Sequence, residues 1–399
     1  MNQLFTEALP VIAALEEAGY EAYFVGGSVR DSLTGRLIND VDIATSATPY
    51  EVKAIFQKTV DVGIAHGTIL VLHESGKYEV TTFRTESGYS DFRRPDEVNF
   101  VRSLKEDLQR RDFTMNAIAM DRKGKLIDPF YGKEAIQKKE IVTVGNPNER
   151  FTEDGLRMMR ALRFVSQLRF ELNPDTYASL KKHVHLMEHI SVERILVEFE
   201  KLLLGVDRKK SLELVVNSSL YYYLPGFKTY KSQLAKVKAY GIEQLKEEEE
   251  MWGFLLVLLD IENIESFLRN WKMPMKNIRF IQSVVRLVKQ EPNFLQDKFL
   301  LFKEGEKAAV SAASVMAVLE HTNVENVINT VKEVYTNLMI KSMSELALTG
   351  HDLLAFASDR KPGPWVKEAM DGAVQAVLTG KVANDKAAIK EWLNTCNLM

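Results

Sequence analysis

The pattern of apolar and polar positions divides the chain into two parts. Up to residue 147, short apolar runs such as residues 22–25 and 68–72 alternate with amphipathic stretches, which predicts strands interleaved with helices. From Phe151 onward, apolar residues recur at helical spacing almost throughout, and no further series of strands is predicted. The sequence therefore predicts an α+β fold, in which an α/β head precedes an all-α remainder.

Within the head, the predicted elements follow one another closely. An amphipathic helix over residues 4–18 leads to the strand at 22–25, and Thr48 is the predicted start of a later helix. Residues 77–84 are predicted to form a further strand. Residues 87–100 show no periodicity, which predicts a mobile surface loop.

The composition is that of a globular protein of roughly two to four domains, given its 399 residues. The 52 Lys and Arg residues balance 55 Asp and Glu, so any nucleic-acid site must be a local basic groove. Cys396 is the only cysteine, which excludes an intramolecular disulfide and a cysteine-based metal site. The N-terminus has no basic leader, and no run of about 18 apolar residues occurs, which predicts a cytoplasmic protein without a membrane partner.

Two carboxylates stand two residues apart within residues 39–43. If this stretch is a strand, Asp40 and Asp42 project to one side while their apolar neighbours face the core, which would hold a divalent metal. By itself, such a pair is more often solvated or part of a turn. Glu79 is a candidate third carboxylate, and a solvent-facing strand residue is the alternative interpretation.

Two adjacent glycines, Gly26 and Gly27, join the strand at 22–25 to a predicted helix. They allow the backbone to approach a ligand closely, and the N–H groups at a helix start can bind phosphate. Arg30 adds a positive charge within that helix. A Gly-Gly turn alone is more often structural, but its position before the carboxylate pair favours a nucleotide phosphate site.

Two arginine-rich clusters follow. The first runs into apolar sequence at residue 118, so that a helix edge is the ordinary alternative to a binding site; its polar members are Arg110, Arg111, Asp112 and Asn116. The second is predicted to form a polar stripe on one helix over residues 153–164, which is more often a solvated face. The members of this stripe are Asp154, Arg157, Arg160 and Arg163.

Gly350-His351-Asp352 is the remaining motif with a chemical interpretation. A metal-dependent phosphohydrolase would need further His and Asp ligands on other helices, and the other histidines show no matching arrangement. The motif is therefore predicted to be the start of a helix.

The motifs occur in the order Gly26-Gly27-x-Val29-Arg30-Asp31, Asp40-x-Asp42, Arg110-Arg111-Asp112-Phe113-Thr114-x-Asn116-Ala117 and Glu153-Asp154-x-x-Arg157-x-x-Arg160. Glu193-Arg194-Ile195 follows, with Glu198 and Lys201. In this order and combination they resemble the motifs of the class II tRNA nucleotidyltransferases, the CCA-adding enzymes of bacterial type. The resemblance covers roughly residues 20–205, and the phosphohydrolase module of many members is not recognisable.

The resemblance implies a nucleotidyltransferase-type α/β head with a small mixed sheet, followed by an all-α neck, body and tail. The implied domains are the head at 1–147, a neck with nucleotide-base recognition at 148–205, a body at 206–330 and a tRNA-binding tail at 331–399. The implied reaction adds C, C and A to the 3′ end of tRNA from CTP and ATP, without a template, and releases pyrophosphate. The tRNA acceptor stem is the implied macromolecular partner, and a homodimer is left open.

The resemblance also implies roles for single residues. Asp40 and Asp42 would bind two Mg²⁺ ions, with Glu79 as a candidate third carboxylate. Phosphate would be bound by Gly26, Gly27, Arg30 and Arg111. The ribose would lie near Asp112 and Asn116, and Arg160 and Arg163 would support base recognition or meet the triphosphate.

Base selection follows from the chemistry of Asp154 and Arg157. Cytosine and adenine both present an amino donor beside a ring-nitrogen acceptor, which matches one carboxylate and one guanidinium. Uracil and guanine present the reverse pattern, which would leave desolvated groups unpaired. This pair cannot choose C before A, so the predicted loop at residues 87–100, with Tyr89, Arg93 and Arg94, is the candidate moving part.

Other functions remain compatible with these motifs. Bacterial poly(A) polymerases share the head motifs, so addition of a poly(A) tail is the nearest alternative. An enzyme that adds only CC or only A is another. A non-catalytic RNA-binding scaffold is disfavoured because binding alone needs no metal carboxylates.

Overall fold

The computed structural model describes residues 2–88, 97–290, 294–358 and 360–398. The chain forms two compact units, Met1–Lys231 and Ser232–Met399. The predicted division into four domains, with bounds at 147, 205 and 330, stays a prediction. Within the described ranges, no helix is long and apolar enough to cross a membrane.

All described strands lie in the first unit. They are β1 Ala22–Val25, β2 Asp42–Thr45, β3 Thr59–Gly63, β4 Thr68–His73, β5 Gly76–Thr82, β6 Arg84–Ser87, β7 Glu97–Phe100, β8 Ala119–Met120, β9 Leu126–Ile127, β10 Glu140–Ile141 and β11 Glu171–Leu172. The helices of this unit are α1 Gln3–Glu17, α2 Gly27–Thr34, α3 Pro49–Ile55, α4 Leu104–Gln109, α5 Gly132–Lys138, α6 Pro147–Glu153, α7 Leu156–Leu168, α8 Pro174–His183, α9 Val192–Leu203 and α10 Arg208–Asn217.

Seven strands form one mixed sheet in the order β3-β4-β5-β2-β1-β8-β9. β2 runs parallel to β5, whereas the other neighbouring strands are antiparallel. The register sets Val25 opposite Asp42, and Asp42 opposite Glu79. The prediction of an α/β head with a small mixed sheet is therefore confirmed, and the end of β1 lies beside the start of β2.

Local sequence signals explain several elements. Phe5 on α1 and Phe24 on β1 are fully buried, and their ring centroids are 4.8 Å apart. Thr48 caps α3 in a capping box with Glu51, in which each side chain satisfies a backbone N–H group at the helix start. The predicted helix start at Thr48 is thus confirmed.

One part of the sheet prediction is wrong, and two further strands were not predicted. Residues 87–100 do not form a loop throughout, because β6 and β7 pair there, with Ser87 opposite Glu97; residues 89–96 lie outside the described part. β3 was not predicted, and β11 forms after Phe151, where it pairs in parallel with β10. Each of these strands is stabilised by hydrogen bonds to a partner strand, which its own sequence does not reveal.

The helices from residue 231 onward are α11 Lys231–Leu234, α12 Glu248–Leu258, α13 Ile264–Asn270, α14 Met275–Lys289, α15 Lys298–Glu304, α16 Glu306–Leu319, α17 Val324–Thr336, α18 Gly350–Phe356, α19 Pro364–Leu378 and α20 Lys386–Thr395. The second unit is all-α in the ranges described, as predicted. Trp252 and Trp271 are buried in it with ring centroids 5.0 Å apart. Asp352 closes a capping box with Thr349 at the start of α18 and forms an ion pair with Lys386, as expected of a helix start.

Candidate active site

Gly26 is the point at which the head motifs converge. It links β1 to α2 with a φ of 72°, a left-handed conformation that favours glycine. A Cβ added to Gly26 would lie 3.2 Å from Nη1 of Arg111 and 3.7 Å from Oδ2 of Asp42. The structure therefore brings together a glycine turn, a carboxylate and a guanidinium that are far apart in the sequence.

The two carboxylates of the Asp-x-Asp motif lie at the start of β2. β2 begins at Asp42, so the prediction that one strand carries both carboxylates is wrong for Asp40, which lies in the preceding extended segment. Val41 and Ile43 are buried as predicted, whereas Asp40 is exposed and Asp42 is half-buried. The alternation expected for this segment is therefore present although the strand is shorter.

Asp42 experiences an excess of negative charge. Burial and the neighbouring charges of Asp40 and Glu79 raise the pKa of Asp42 to about 6, although Arg111 opposes this effect. A divalent cation would relieve this repulsion. In the described part of the chain, no group of three or more His, Cys, Asp or Glu side chains is arranged to hold a metal. A metal at Asp40 and Asp42 would therefore need oxygen ligands from substrate.

Arg111 is held in place by a buried carboxylate. Asp107, 1% exposed, accepts a hydrogen bond from Nη2 of Arg111 at 3.1 Å, while Nη1 donates to the carbonyl of Asn116 at 3.3 Å. Nε of Arg111 is buried and has no hydrogen-bond partner within the described ranges. Asp107 also accepts from Arg110, which forms a second ion pair with Glu86 on β6. Arg111 thus presents a fixed positive charge beside Gly26 and Asp42.

Arg30 and Asn116 belong to a second hydrogen-bonded group. Arg30 donates to both carboxylate oxygens of Asp31 at 2.9 Å and to Oδ1 of Asn116 at 2.8 Å. Gly27 adjoins this group, since an added Cβ would lie 3.7 Å from Nη2 of Arg30. Asn116 in turn donates to Oδ1 of Asp112 at 3.1 Å. The structure therefore places Arg30 against protein acceptors beside the glycine turn.

Asp112 connects this group to α7. Its carboxylate is buried and accepts from Nε of Arg160 at 2.7 Å and from the backbone N–H of Phe113 at 2.8 Å. Burial alone would raise the pKa of Asp112, but Arg160 and the hydrogen bonds from Asn116 and Phe113 lower it to about 2. Asp112 is therefore ionised at neutral pH and holds the arginine of the second cluster.

The arginine stripe on α7 is not a solvated face. Arg157 and Arg163 are each 7% exposed. Glu198 on α9 pairs with Arg163 at 3.0 Å and lies 3.7 Å from Arg160, and the guanidinium of Arg163 lies 4.2 Å from the centroid of the Phe164 ring. Arg160 and Arg163 are consequently part of a largely buried ion-pair network that joins α7 to Glu198 on α9 and to Asp112.

Asp154 and Arg157 are not on one helix, and this prediction is wrong. Asp154 ends α6 with φ −143° and ψ 105°, and α7 begins at Leu156. The Asp154 carboxylate is bound by Arg194, whereas Arg157 pairs with Glu153 at 2.5 Å and donates to the carbonyl of Arg110 at 3.1 Å. The spacing of three indicated a shared helix face, but an extended residue between two helices breaks the repeat.

The sequence interpretation missed the residues that orient these groups. The i,i+3 and i,i+4 spacings of Asp107 to Arg110 and Arg111 are a helical ion-pair signal that could have identified Asp107. The partnership of Asp154 with Arg194 spans 40 residues and has no local signal.

The mixed sheet, the glycine turn and the charged groups around it define a nucleotidyltransferase. Residues 22–142 match the family model of the poly A polymerase head domain, and residues 169–231 match the probable RNA and SrmB-binding site of polymerase A. Residues 243–393 match the putative domain 2 of tRNA nucleotidyltransferase. The chain is 48% identical to the CCA-adding enzyme of Bacillus cereus over 399 residues, which cover 99% of each chain.

Two further comparisons agree. A CCA-adding enzyme of Geobacillus is 47% identical over 401 residues, covering 100% of this chain and 99% of the relative. The crystal structure of the Bacillus stearothermophilus CCA-adding enzyme in complex with CTP is 45% identical, covers 100% of this chain and 98% of that chain, and has a TM-score of 0.92. The chain belongs to the family of CCA-adding enzymes, which confirms the resemblance of its motifs.

Proposed function

We propose that this protein adds C, C and A to the 3′ end of tRNA, using CTP twice and ATP once and releasing pyrophosphate. The relatives with this activity in their names match over almost the whole chain, including the helical half. The convergence of Gly26, Asp42 and Arg111 at one point carries the chemical part of the proposal. Because tRNA is the substrate, we place the reaction in the cytoplasm.

The residues around Gly26 fit a triphosphate and a divalent metal. Asp40 and Asp42 offer carboxylate oxygens, and Mg²⁺ is commonly bound by one or two carboxylates together with substrate phosphates. Bound Mg²⁺ would activate the 3′-hydroxyl and stabilise the departing pyrophosphate. Glu79 lies opposite Asp42 and adds negative charge, without needing to be a ligand.

Arg111 and the start of α2 would bind the phosphates. The guanidinium of Arg111 is fixed by Asp107, so that little side-chain freedom is lost when it binds an anion. Gly26 and Gly27 bring the N–H groups at the start of α2 within reach of a phosphate. Arg30 would act indirectly, because its hydrogen bond holds Asn116 in place. Asn116 and Asp112 would line the ribose site.

Asp154 and Arg157 would select the base. The carboxylate would accept from the amino group of cytosine or adenine, and the guanidinium would donate to the adjacent ring nitrogen. Glu153 and the carbonyl of Arg110 hold Arg157, and Arg160 and Arg163 support α7 through Asp112 and Glu198. Selection would thus depend on side chains held by buried partners.

The function is tested on a tRNA that lacks its last three nucleotides. The protein, this tRNA and Mg²⁺ are incubated with each nucleoside triphosphate separately and with all four together, and the 3′ ends are sequenced. We expect C and C from CTP alone, and CCA from the mixture. A long A tail would instead establish a poly(A) polymerase, and termination after CC would establish a CC-adding enzyme. Extension only of tRNA that already ends in CC would establish an A-adding enzyme. No extension at all would establish a binding protein.

Replacement of Asp154 by Ala is expected to relax base choice without loss of phosphate binding. The preference for CTP over UTP should fall about 10- to 100-fold, because the mismatched carbonyl no longer faces a carboxylate. Ratios of kcat/KM for the two nucleotides measure this effect. Asp175→Ala, which removes an exposed carboxylate from α8 in the same unit, is the control. An unchanged ratio in the Asp154 variant would refute base selection by this residue.

A further inference from the structure

The Asp154 carboxylate accepts two hydrogen bonds from one arginine, Arg194. Nη2 of Arg194 donates to Oδ2 at 2.7 Å, and Nη1 donates to Oδ1 at 3.3 Å. The side chains of Asp154 and Arg194 are 15% and 28% exposed, so the pair lies at the edge of the protein interior and is shielded from most solvent. Two parallel bonds of this kind fix the plane of a carboxylate as well as its position.

The hydrogen bonds already made leave Asp154 with one direction for a ligand. A carboxylate offers about four acceptor positions, two on each oxygen. Oδ1 accepts from Arg194 and from the backbone N–H of Leu156 at 3.0 Å, which occupies both of its positions. Among the described residues Oδ2 accepts from Arg194 alone, so a single acceptor position remains on Oδ2.

The backbone around Asp154 holds the pair together. Gly155 follows Asp154, and an added Cβ there would lie 3.2 Å from the carbonyl oxygen of Leu186 and 3.4 Å from the side chain of Ile190. This close approach brings the segment before α9 against the junction between α6 and α7. Arg194 lies in the first turn of α9 and is thereby placed beside Asp154.

We propose that Arg194 is a positioning residue, which orients the Asp154 carboxylate so that its remaining acceptor position meets the amino group of cytosine or adenine. The proposal rests on the proposed function, in which Asp154 reads the base. Arg194 does not contact the nucleotide in this role. It converts a carboxylate that could rotate about its side-chain bond into an acceptor with one direction, and this directionality is what separates an amino group from a carbonyl oxygen.

The test compares Arg194→Ala and Arg194→Lys with the wild type on tRNA lacking CCA. In Arg194→Ala, the ratio of kcat/KM for CTP to that for UTP is expected to fall about 10- to 100-fold, as for other mispaired polar groups. Arg194→Lys should not restore the ratio, because one ammonium cannot donate two parallel hydrogen bonds. In Asp154→Ala/Arg194→Ala, the ratio should be no lower than in Asp154→Ala alone, since Arg194 acts through Asp154.

Arg122→Ala removes a more exposed arginine that pairs with Glu16 and serves as the control, with an unchanged ratio. An equal loss of kcat with all nucleotides and an unchanged ratio in both Arg194 variants would overturn the proposal, as would full rescue by Lys. If Arg194→Ala does not fold, as judged by its thermal unfolding, Arg194→Lys decides the question because it keeps the charge. Failure of the wild type to add CCA would instead refute the proposed function.

Discussion

Replacement of Asp42 by Asn is expected to lower the rate of nucleotide transfer by about a thousandfold or more. A single group that stabilises charge at a reacting centre contributes about 10²–10³ by itself. Asn also removes an anionic oxygen that a divalent metal would need. The substitution preserves the shape of the side chain, so the register of β2 with β1 and β5 should be kept. Single-turnover incorporation of CTP into tRNA lacking CCA measures the effect.

The same substitution is expected to stabilise the metal-free protein at neutral pH. The pKa of Asp42 is raised from 3.8 to about 6 by burial and by Asp40 and Glu79, so folding disfavours the ionised carboxylate. The free energy of unfolding of the wild type should therefore decrease as the pH rises from about 4 to about 6 and stay lower above that range. A shift of this size corresponds to about 3 kcal/mol, which Asn avoids.

Thermal unfolding in EDTA at about pH 4 and about pH 7.5 tests this effect on stability. Asp42→Asn should be more stable than the wild type only at the higher pH, where the wild-type carboxylate is ionised. Added Mg²⁺ should stabilise the wild type more than the variant. Asp61→Asn is the control: it changes a 47% exposed carboxylate on β3 of the same sheet, and exposed ion pairs contribute under about 1 kcal/mol. An Asn variant that transfers nucleotides at a rate close to that of the wild type, or that is less stable than the wild type at neutral pH without metal, would contradict this account of Asp42.

The parts of the fold that could be predicted have strong local signals. The apolar run at 22–25 is buried β1, and the glycines after it form the turn into α2. Thr48 and Glu51 form a capping box whose two members are close in sequence. Such signals do not depend on the rest of the chain, and the order of the motifs then indicated the family.

The parts that were missed depend on distant partners. Val60 and Val62 on β3 are 44% and 51% exposed, so this edge strand buries little apolar surface. It forms because β4 pairs with it. Asp154 likewise lies within an apparently continuous helical pattern, and only the packing of Gly155 against Leu186 and Ile190 shows why the chain is extended there.

The site was predicted as a set of residues and not as a network. Asp112 and Arg160 are 48 residues apart, and Arg163 and Glu198 are 35 apart, so no spacing rule could pair them. The family resemblance implied that Asp112 lies near the ribose and that Arg160 supports base recognition or meets the triphosphate, and the burial of Asp112 was not foreseen. Burial changes the expectation, because a buried charge needs a partner and its removal affects folding as well as catalysis.

Replacement of Asp112 by Asn is accordingly expected to destabilise the first unit by about 2 kcal/mol at neutral pH. Arg160 and the hydrogen bonds to the carboxylate lower the pKa of Asp112 from 3.8 to about 2 in spite of its burial, so folding favours the ionised form. This contribution is fully present above about pH 5 and is lost as the pH falls through 3.8 towards 2. The difference between wild type and variant should therefore shrink as the pH is lowered to about 3.

The distribution of tryptophan offers an internal control for this measurement. All four tryptophans, Trp252, Trp271, Trp365 and Trp392, lie in the second unit. Amide hydrogen exchange of peptides from α7 should show the lost stability, whereas the tryptophan fluorescence transition in urea should stay unchanged if the units unfold separately. The control Asp61→Asn should alter neither the amide exchange of α7 nor the tryptophan fluorescence transition. Equal protection of α7 in Asp112→Asn and in the wild type at neutral pH would show that the Asp112–Arg160 pair contributes no net stability, because its desolvation cost then offsets the attraction between its charges.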